Sequence, residues 1–66
     1  MNKIAKQIID TVRQKRVNKR LSQEQVAKRA GISLSIVSRL ERGDTSVLAS
    51  DVSRILAAVG VKVHIS

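Results

Sequence analysis

The chain has 66 residues, with 13 Lys and Arg against five Asp and Glu, and so a formal net charge of +8. The absence of cysteine and the single histidine exclude disulfides, thiolate metal sites and a zinc site built by this chain alone. A chain this short forms one domain, and its basic balance favours a polyanion as partner, nucleic acid first. Because Phe, Tyr and Trp are all absent, the rings on which single-stranded bases stack are missing, and duplex DNA is favoured.

The first predicted element is a helix over residues 3–17. Ile4, Ile8 and Val12 recur every fourth residue, as the apolar face of a helix does. The polar residues 18–20 then form a turn. The early lysines are followed by no continuous apolar stretch, so we expect neither a signal peptide nor a membrane segment, and we expect a cytoplasmic protein.

A capping box marks the start of the second helix. Ser22 is followed three residues later by Gln25, a spacing at which each side chain satisfies a free backbone amide of the other residue. Val26 and Ala27 form the predicted buried stripe of this short helix. Gly31 ends it, because glycine adopts a left-handed turn without steric cost.

The third helix is predicted over residues 34–42. Ser33 stands where an N-cap is expected, and Gly43 where the helix ends. Val37 and Leu40 are the positions expected to face inward.

A fourth helix follows and is ended by Gly60. Its apolar residues are spaced by three and four: Ala49, Val52, Ile55, Leu56 and Val59. We therefore predict an all-α fold, a compact bundle of four short helices with a central helix-turn-helix over residues 1–60.

The pattern changes in residues 61–66, where Val61, Val63 and Ile65 alternate with polar residues as in a half-buried β-strand. No other segment has a strand pattern. The strand's backbone groups therefore either stay in water or pair with the same strand of a second copy, which would make residues 61–66 a dimerisation segment.

The second and third helices, joined through Gly31, have the arrangement of a helix-turn-helix, whose second helix enters the major groove of DNA. If Val37 and Leu40 hold the third helix to the body, its opposite side is free for bases. Serine hydroxyls there can bond to base edges, a leucine can contact a thymine methyl, and an arginine can bind guanine with two hydrogen bonds. The candidate base-contacting residues are Ser33, Leu34, Ser35, Ser38 and Arg39. For Ser33, helix capping alone is a sufficient alternative role.

The stretch LSQEQVAKRAGISLSIVSRLERG, residues 21–43, resembles the helix-turn-helix of the phage-repressor-like (Xre/Cro) transcriptional regulators, and RILAAVGV, residues 54–61, resembles that family's closing helix. The resemblance covers nearly the whole chain. It implies that Gln23 and Arg42 contact DNA phosphates. It also implies a structural ion pair between Arg16 and Glu41.

Two departures from the family stand out. Where the family commonly has glycine before the second helix, this chain has Arg20, which would be strained in the same turn; we expect Asn18 to take that turn instead. The chain also ends in the predicted strand, whereas many members continue into a fifth helix. In this respect it resembles the HipB-type antitoxins, whose dimers pair short C-terminal strands and which bind a protein toxin.

Three functions remain open from the sequence. The first is a homodimeric repressor acting on a two-fold symmetric operator, the second an antitoxin that also binds a toxin, and the third a basic protein-interaction module. We expect no enzyme, because the five acidic residues form no evident pair and no nucleophile or phosphate loop is present. We likewise expect no cofactor, metal or small-molecule ligand.

Overall fold

The computed structural model describes residues 3–62 and contains four α-helices around one core. The helices are α1 (Lys3–Asn18), α2 (Gln23–Ala30), α3 (Leu34–Glu41) and α4 (Ala49–Ala58). The predicted four-helix fold with a central helix-turn-helix is confirmed. α2 lies in the middle and packs against α3 and α4, while α1 packs mainly against α3.

Each helix contributes a fully buried aliphatic side chain to the core: Val12, Val26, Val37 and Ile55. Val59, just after α4, is equally inaccessible. Since the chain has no aromatic residue, the core is built from small branched side chains, which lets short helices approach closely. The remaining core members are Ile9, Leu21, Ala27 and Leu40.

Ile4 does not belong to this core, contrary to the sequence prediction. Its side chain is 69% exposed, whereas Ile9 and Val12 are the buried residues of α1. A helix turns about 100° per residue, so Ile4 points roughly 80° away from Val12, at the edge of the packed face.

All four helices end on the same backbone motif, the Schellman motif, in which one N–H bonds to the carbonyl five residues earlier. Its central residue takes a left-handed conformation: φ is 56° at Arg20, 70° at Gly31, 95° at Gly43 and 86° at Gly60. The bonds run from Leu21 N to Arg16 O (3.0 Å), Ile32 N to Ala27 O (3.1 Å), Asp44 N to Arg39 O (3.0 Å) and Val61 N to Leu56 O (2.9 Å).

Arg20 occupies the left-handed position at the end of α1, so the expectation that Asn18 would absorb the turn is wrong. Asn18 is the last residue of α1. Leu21, which follows Arg20, is buried, and its carbonyl accepts a 3.0 Å hydrogen bond from Nη1 of Arg16. These contacts fix the chain path through position 20, although a residue with a Cβ is strained there.

We expect Arg20→Gly to be more stable than Arg20→Ala by about 1 kcal/mol, or about 4 to 8 °C in Tm. Both variants lose the same exposed, charged side chain, so the difference between them is the backbone strain less the extra freedom of glycine in the unfolded chain. Thermal unfolding followed by circular dichroism measures it. A lower melting temperature for Arg20→Gly than for Arg20→Ala would contradict strain at position 20.

The predicted C-terminal strand is not found in the two of its residues that the structure describes. Val61 and Lys62 lie in irregular backbone, and Val61 is half-buried against the chain's own core. Val63 and Ile65 lie outside the described residues. Within residues 3–62, no helix combines the length and apolar character needed to span a bilayer.

Candidate nucleic-acid interface

The turn between α2 and α3 sets how α3 lies on the domain. Gly31 donates its N–H to the carbonyl of Lys28 (3.2 Å), and Ile32 donates to Ala27. Ala27 is 4% exposed, and its small side chain allows the two helices to pack closely. The interpretation of this segment as a helix-turn-helix rests on this turn together with the buried inner face of α3.

α3 has one buried and one exposed side. Val37, Leu40 and Glu41 are buried against the body, as predicted for the first two. None of the predicted base-contacting residues is among these buried ones, and Leu34 is 46% exposed. Ser33 and Ser35 are exposed as well, and Ser38 and Arg39 are half-buried.

The hydroxyl of Ser33 does not cap α3, so that alternative role is wrong for the side chain. Ser33 is the N-cap residue by its backbone, and its carbonyl accepts from the N–H of Ile36 (3.2 Å). Its hydroxyl makes no cap bond to the helix and instead shares a 3.0 Å hydrogen bond with the hydroxyl of Ser35. Two exposed hydroxyls therefore stand together at the start of α3.

Arg39 lies in the last turn of α3 and contacts the loop that follows. Its Nε donates to Oδ2 of Asp44 (2.9 Å) and its Nη2 to Oγ of Ser46 (3.0 Å). We call these three residues the Arg39 cluster. Asp44 and Ser46 were not among the residues predicted from the sequence, although Gly43 is a signal for Asp44. In a Schellman motif the N–H of the residue after the glycine bonds to the carbonyl five residues earlier, which brings Asp44 beside Arg39.

Hydrogen bonds from Ser46 and Arg39 favour the charged form of the Asp44 carboxylate. Oδ1 accepts from the N–H (2.8 Å) and the hydroxyl (2.6 Å) of Ser46. These two bonds, and after them the bond from Arg39, lower the pKa of Asp44 to about 2. The stabilisation is complete above the ordinary pKa of the carboxyl and is lost only as the pH falls toward 2, so Asp44 carries its negative charge at neutral pH.

The ion pair implied by the family resemblance is present between Arg16 and Glu41. Nε of Arg16 donates to Oε2 of Glu41 (2.8 Å) and Nη2 to Oε1 (2.9 Å), a bidentate arrangement. The Glu41 side chain is 4% exposed. Nε of Arg13 also lies 4.0 Å from Oε1 of Glu41. These contacts tie the C-terminal part of α1 to the end of α3 and so fix the orientation of α3.

The start of α2 has the capping box that the sequence predicts. Ser22 Oγ accepts from the N–H of Gln25 (3.0 Å), and Gln25 Oε1 accepts from the N–H of Ser22 (2.8 Å). Gln23, the first residue of α2, is half-buried, and Arg42 is exposed just after α3. No hydrogen bond within residues 3–62 uses either side chain, and neither joins the Ser33–Ser35 pair or the Arg39 cluster.

A helix with one face buried against the body and the other exposed, preceded by a second helix across a glycine turn, has the arrangement of a helix-turn-helix DNA-binding domain. The family model described as helix-turn-helix, HTH_3, matches residues 12–65. The chain belongs to this Xre/Cro-like family, and it is a DNA-binding transcription regulator. No curated protein and no solved structure gives a significant match.

Proposed function

We propose that the protein is a sequence-specific repressor that binds duplex DNA as a homodimer, with α3 in the major groove. The observation that carries the proposal is the division of α3 into a buried face that holds it to the body and an outer face with exposed Ser33, Leu34 and Ser35. The net charge of +8 supplies attraction to phosphates that is independent of sequence.

The residues of α3 have distinct roles in this proposal. The paired hydroxyls of Ser33 and Ser35 bond to base edges, and Leu34 contacts a thymine methyl. Ser38 lies one turn further along the helix and makes a further base contact. Arg39 is the one long donor and binds guanine.

Phosphate contacts position the domain. Ser22 Oγ accepts a hydrogen bond from the N–H of Gln25, while the amides of Gln23 and Glu24 in the first turn have no intrahelical acceptor. A phosphate at this helix start is favoured by those amides and by the helix dipole. The side chain of Gln23 and, near the end of α3, that of Arg42 complete the contacts to the DNA backbone.

Homodimerisation through Val61, Val63 and Ile65 remains a prediction, as does the alternative antitoxin role with a protein toxin as partner. The half-burial of Val61 in its own domain leaves Val63 and Ile65 as the stronger candidates for contact with a second copy. A homodimer requires an operator with two-fold symmetry.

Selection of bound sequences from a random duplex library tests the proposed function. We expect enrichment of an inverted repeat with half-site centres about 34 Å, or about 10 base pairs, apart. Enrichment of a single half-site would contradict the dimer but not base recognition. A library that is bound without enrichment would contradict sequence-specific recognition and favour the protein-interaction module.

Gln23→Ala should weaken binding to the preferred duplex and to a scrambled duplex by a similar factor. The reason is that contacts to phosphates carry no direct sequence information. Binding isotherms on both duplexes at one salt concentration measure the two factors, and Gln14→Ala, on the exposed side of α1, is the matched control. A change in the preferred sequence would contradict the phosphate role.

A further inference from the structure

We propose that Asp44 and Ser46 are positioning residues for base recognition: they hold one edge of the Arg39 guanidinium and leave its terminal edge free to bind a guanine. This role rests on the proposed function. It assigns part of the DNA specificity to the loop after α3, outside the recognition helix.

The terminal edge of the Arg39 guanidinium is free because Asp44 and Ser46 use only part of its N–H groups. A guanidinium has five N–H groups. Asp44 takes the one on Nε and Ser46 takes one on Nη2, and no bond within residues 3–62 uses Nη1. The two terminal nitrogens therefore each keep an N–H, and these are the two parallel donors that bind O6 and N7 of guanine.

Each residue of the Arg39 cluster bonds to the other two, and this ring of hydrogen bonds holds the Arg39 side chain in place. The hydroxyl of Ser46 accepts from Arg39 and donates to Asp44, and the carboxylate of Asp44 accepts from Arg39 and from the Ser46 amide. The Schellman bond from Asp44 N to Arg39 O (3.0 Å) fixes the backbone between them.

The consequence is preorganisation. An arginine side chain has large rotamer freedom, and ordering it costs free energy when it occurs on binding. In the Arg39 cluster this ordering occurs on folding. Side-chain exposures of 43% for Arg39 and 35% for Asp44 leave the pair open to solvent, where such pairs add little to stability. Variants that break the pair should therefore stay folded, and their DNA recognition can be compared with that of the wild type.

The alternative role of the Arg39 cluster is to hold Arg39 away from the DNA, and it predicts the opposite change in discrimination for guanine. If Asp44 held Arg39 away from the DNA, breaking the cluster would release the guanidinium and increase discrimination for guanine. If the cluster presents Arg39, breaking it lowers that discrimination. The sign of the change therefore separates the two.

The experiment uses the duplex obtained by selection, in which each guanine in turn is replaced by 7-deazaguanine, which lacks the N7 acceptor. For the wild-type protein, we expect one position per half-site at which this replacement weakens binding by about tenfold. In Asp44→Asn the weakening at that position should fall to about threefold or less, because the amide cannot accept from both Arg39 and Ser46 as the carboxylate does. Asp10→Asn makes the same change of charge on α1 and should behave as the wild type.

Two further variants connect the effect to Arg39. We call the affinity for the guanine duplex divided by that for the 7-deazaguanine duplex the 7-deazaguanine ratio. In an Arg39→Ala background, Asp44→Asn should not change this ratio further. Ser46→Ala should lower the ratio below that of the wild type, whereas Ser46→Thr, which keeps the hydroxyl, should have the wild-type ratio.

The outcomes distinguish this inference from the proposed function. If the wild type selects no preferred duplex, the proposed function fails. If it does select one, but Asp44→Asn gives the same 7-deazaguanine ratio as Asp10→Asn, or a larger one, the positioning role is overturned while sequence-specific recognition stands.

Discussion

Glu41→Ala should destabilise the fold by about 3 kcal/mol, because it leaves the guanidinium of Arg16 without its partner at a largely buried site. Arg16 loses two hydrogen bonds of 2.8 and 2.9 Å, and its side chain is only 18% exposed. Since small domains have little stability to spare, we expect a large unfolded fraction at low urea concentration. Urea unfolding followed by circular dichroism measures the change.

Glu24→Ala is the matched control, because Glu24 is exposed at the start of α2 and its loss should change the free energy of unfolding by about 0.5 kcal/mol. The double variant Arg16→Met/Glu41→Leu should recover much of the loss, since a buried pair is often replaced by apolar residues at little cost. Equal stability of Glu41→Ala and Glu24→Ala would contradict the structural role of the pair.

Arg39→Ala should cost about 1 to 3 kcal/mol of binding free energy on the preferred duplex and remove the preference for one base pair in each half-site. The rest of the exposed face of α3 offers hydroxyls and a leucine, so no other side chain there replaces the lost fork of donors. Binding to duplexes with single base-pair substitutions measures the preference at each position.

Arg29→Ala is the control for the loss of positive charge. Arg29 is exposed on α2, outside the helix proposed to contact bases, so its removal should weaken all duplexes alike, as the loss of a general electrostatic attraction does. If Arg39→Ala also weakened all duplexes by one common factor, Arg39 would be a backbone contact.

The helices could be predicted from the sequence because their boundaries depend on local chemistry. Ser22 and Gln25 cap each other over three residues, and Gly31 and Gly43 take left-handed conformations that favour glycine. The same reasoning failed at Arg20, where it placed the turn at Asn18 instead. The left-handed conformation of Arg20 is stabilised by the burial of Leu21 in the core, and a tertiary contact of this kind overrides local preference.

The candidate site was predictable to a lesser extent. The exposed face of α3 followed from the inward positions of Val37 and Leu40, but which donors and acceptors pair on that face did not. The hydroxyl of Ser33 had a helix amide and the Ser35 hydroxyl as competing partners, and the structure has the second. Glu41 is separated from Arg16 by 25 residues, and periodicity alone gave no reason to join them; the family resemblance did.

The shared helix ending also bears on how quickly the domain folds. Each Schellman motif joins residues five apart along the chain, so its closure needs only a short loop and carries a small entropy cost. The three motifs centred on Gly31, Gly43 and Gly60 can therefore form while the chain is still expanded, whereas the motif at Arg20 also needs the burial of Leu21 in the core. Local contacts of this kind are typical of helical domains that fold in microseconds to milliseconds. Relief of strain at Arg20 should then slow unfolding or speed folding according to whether the end of α1 forms after or before the folding barrier.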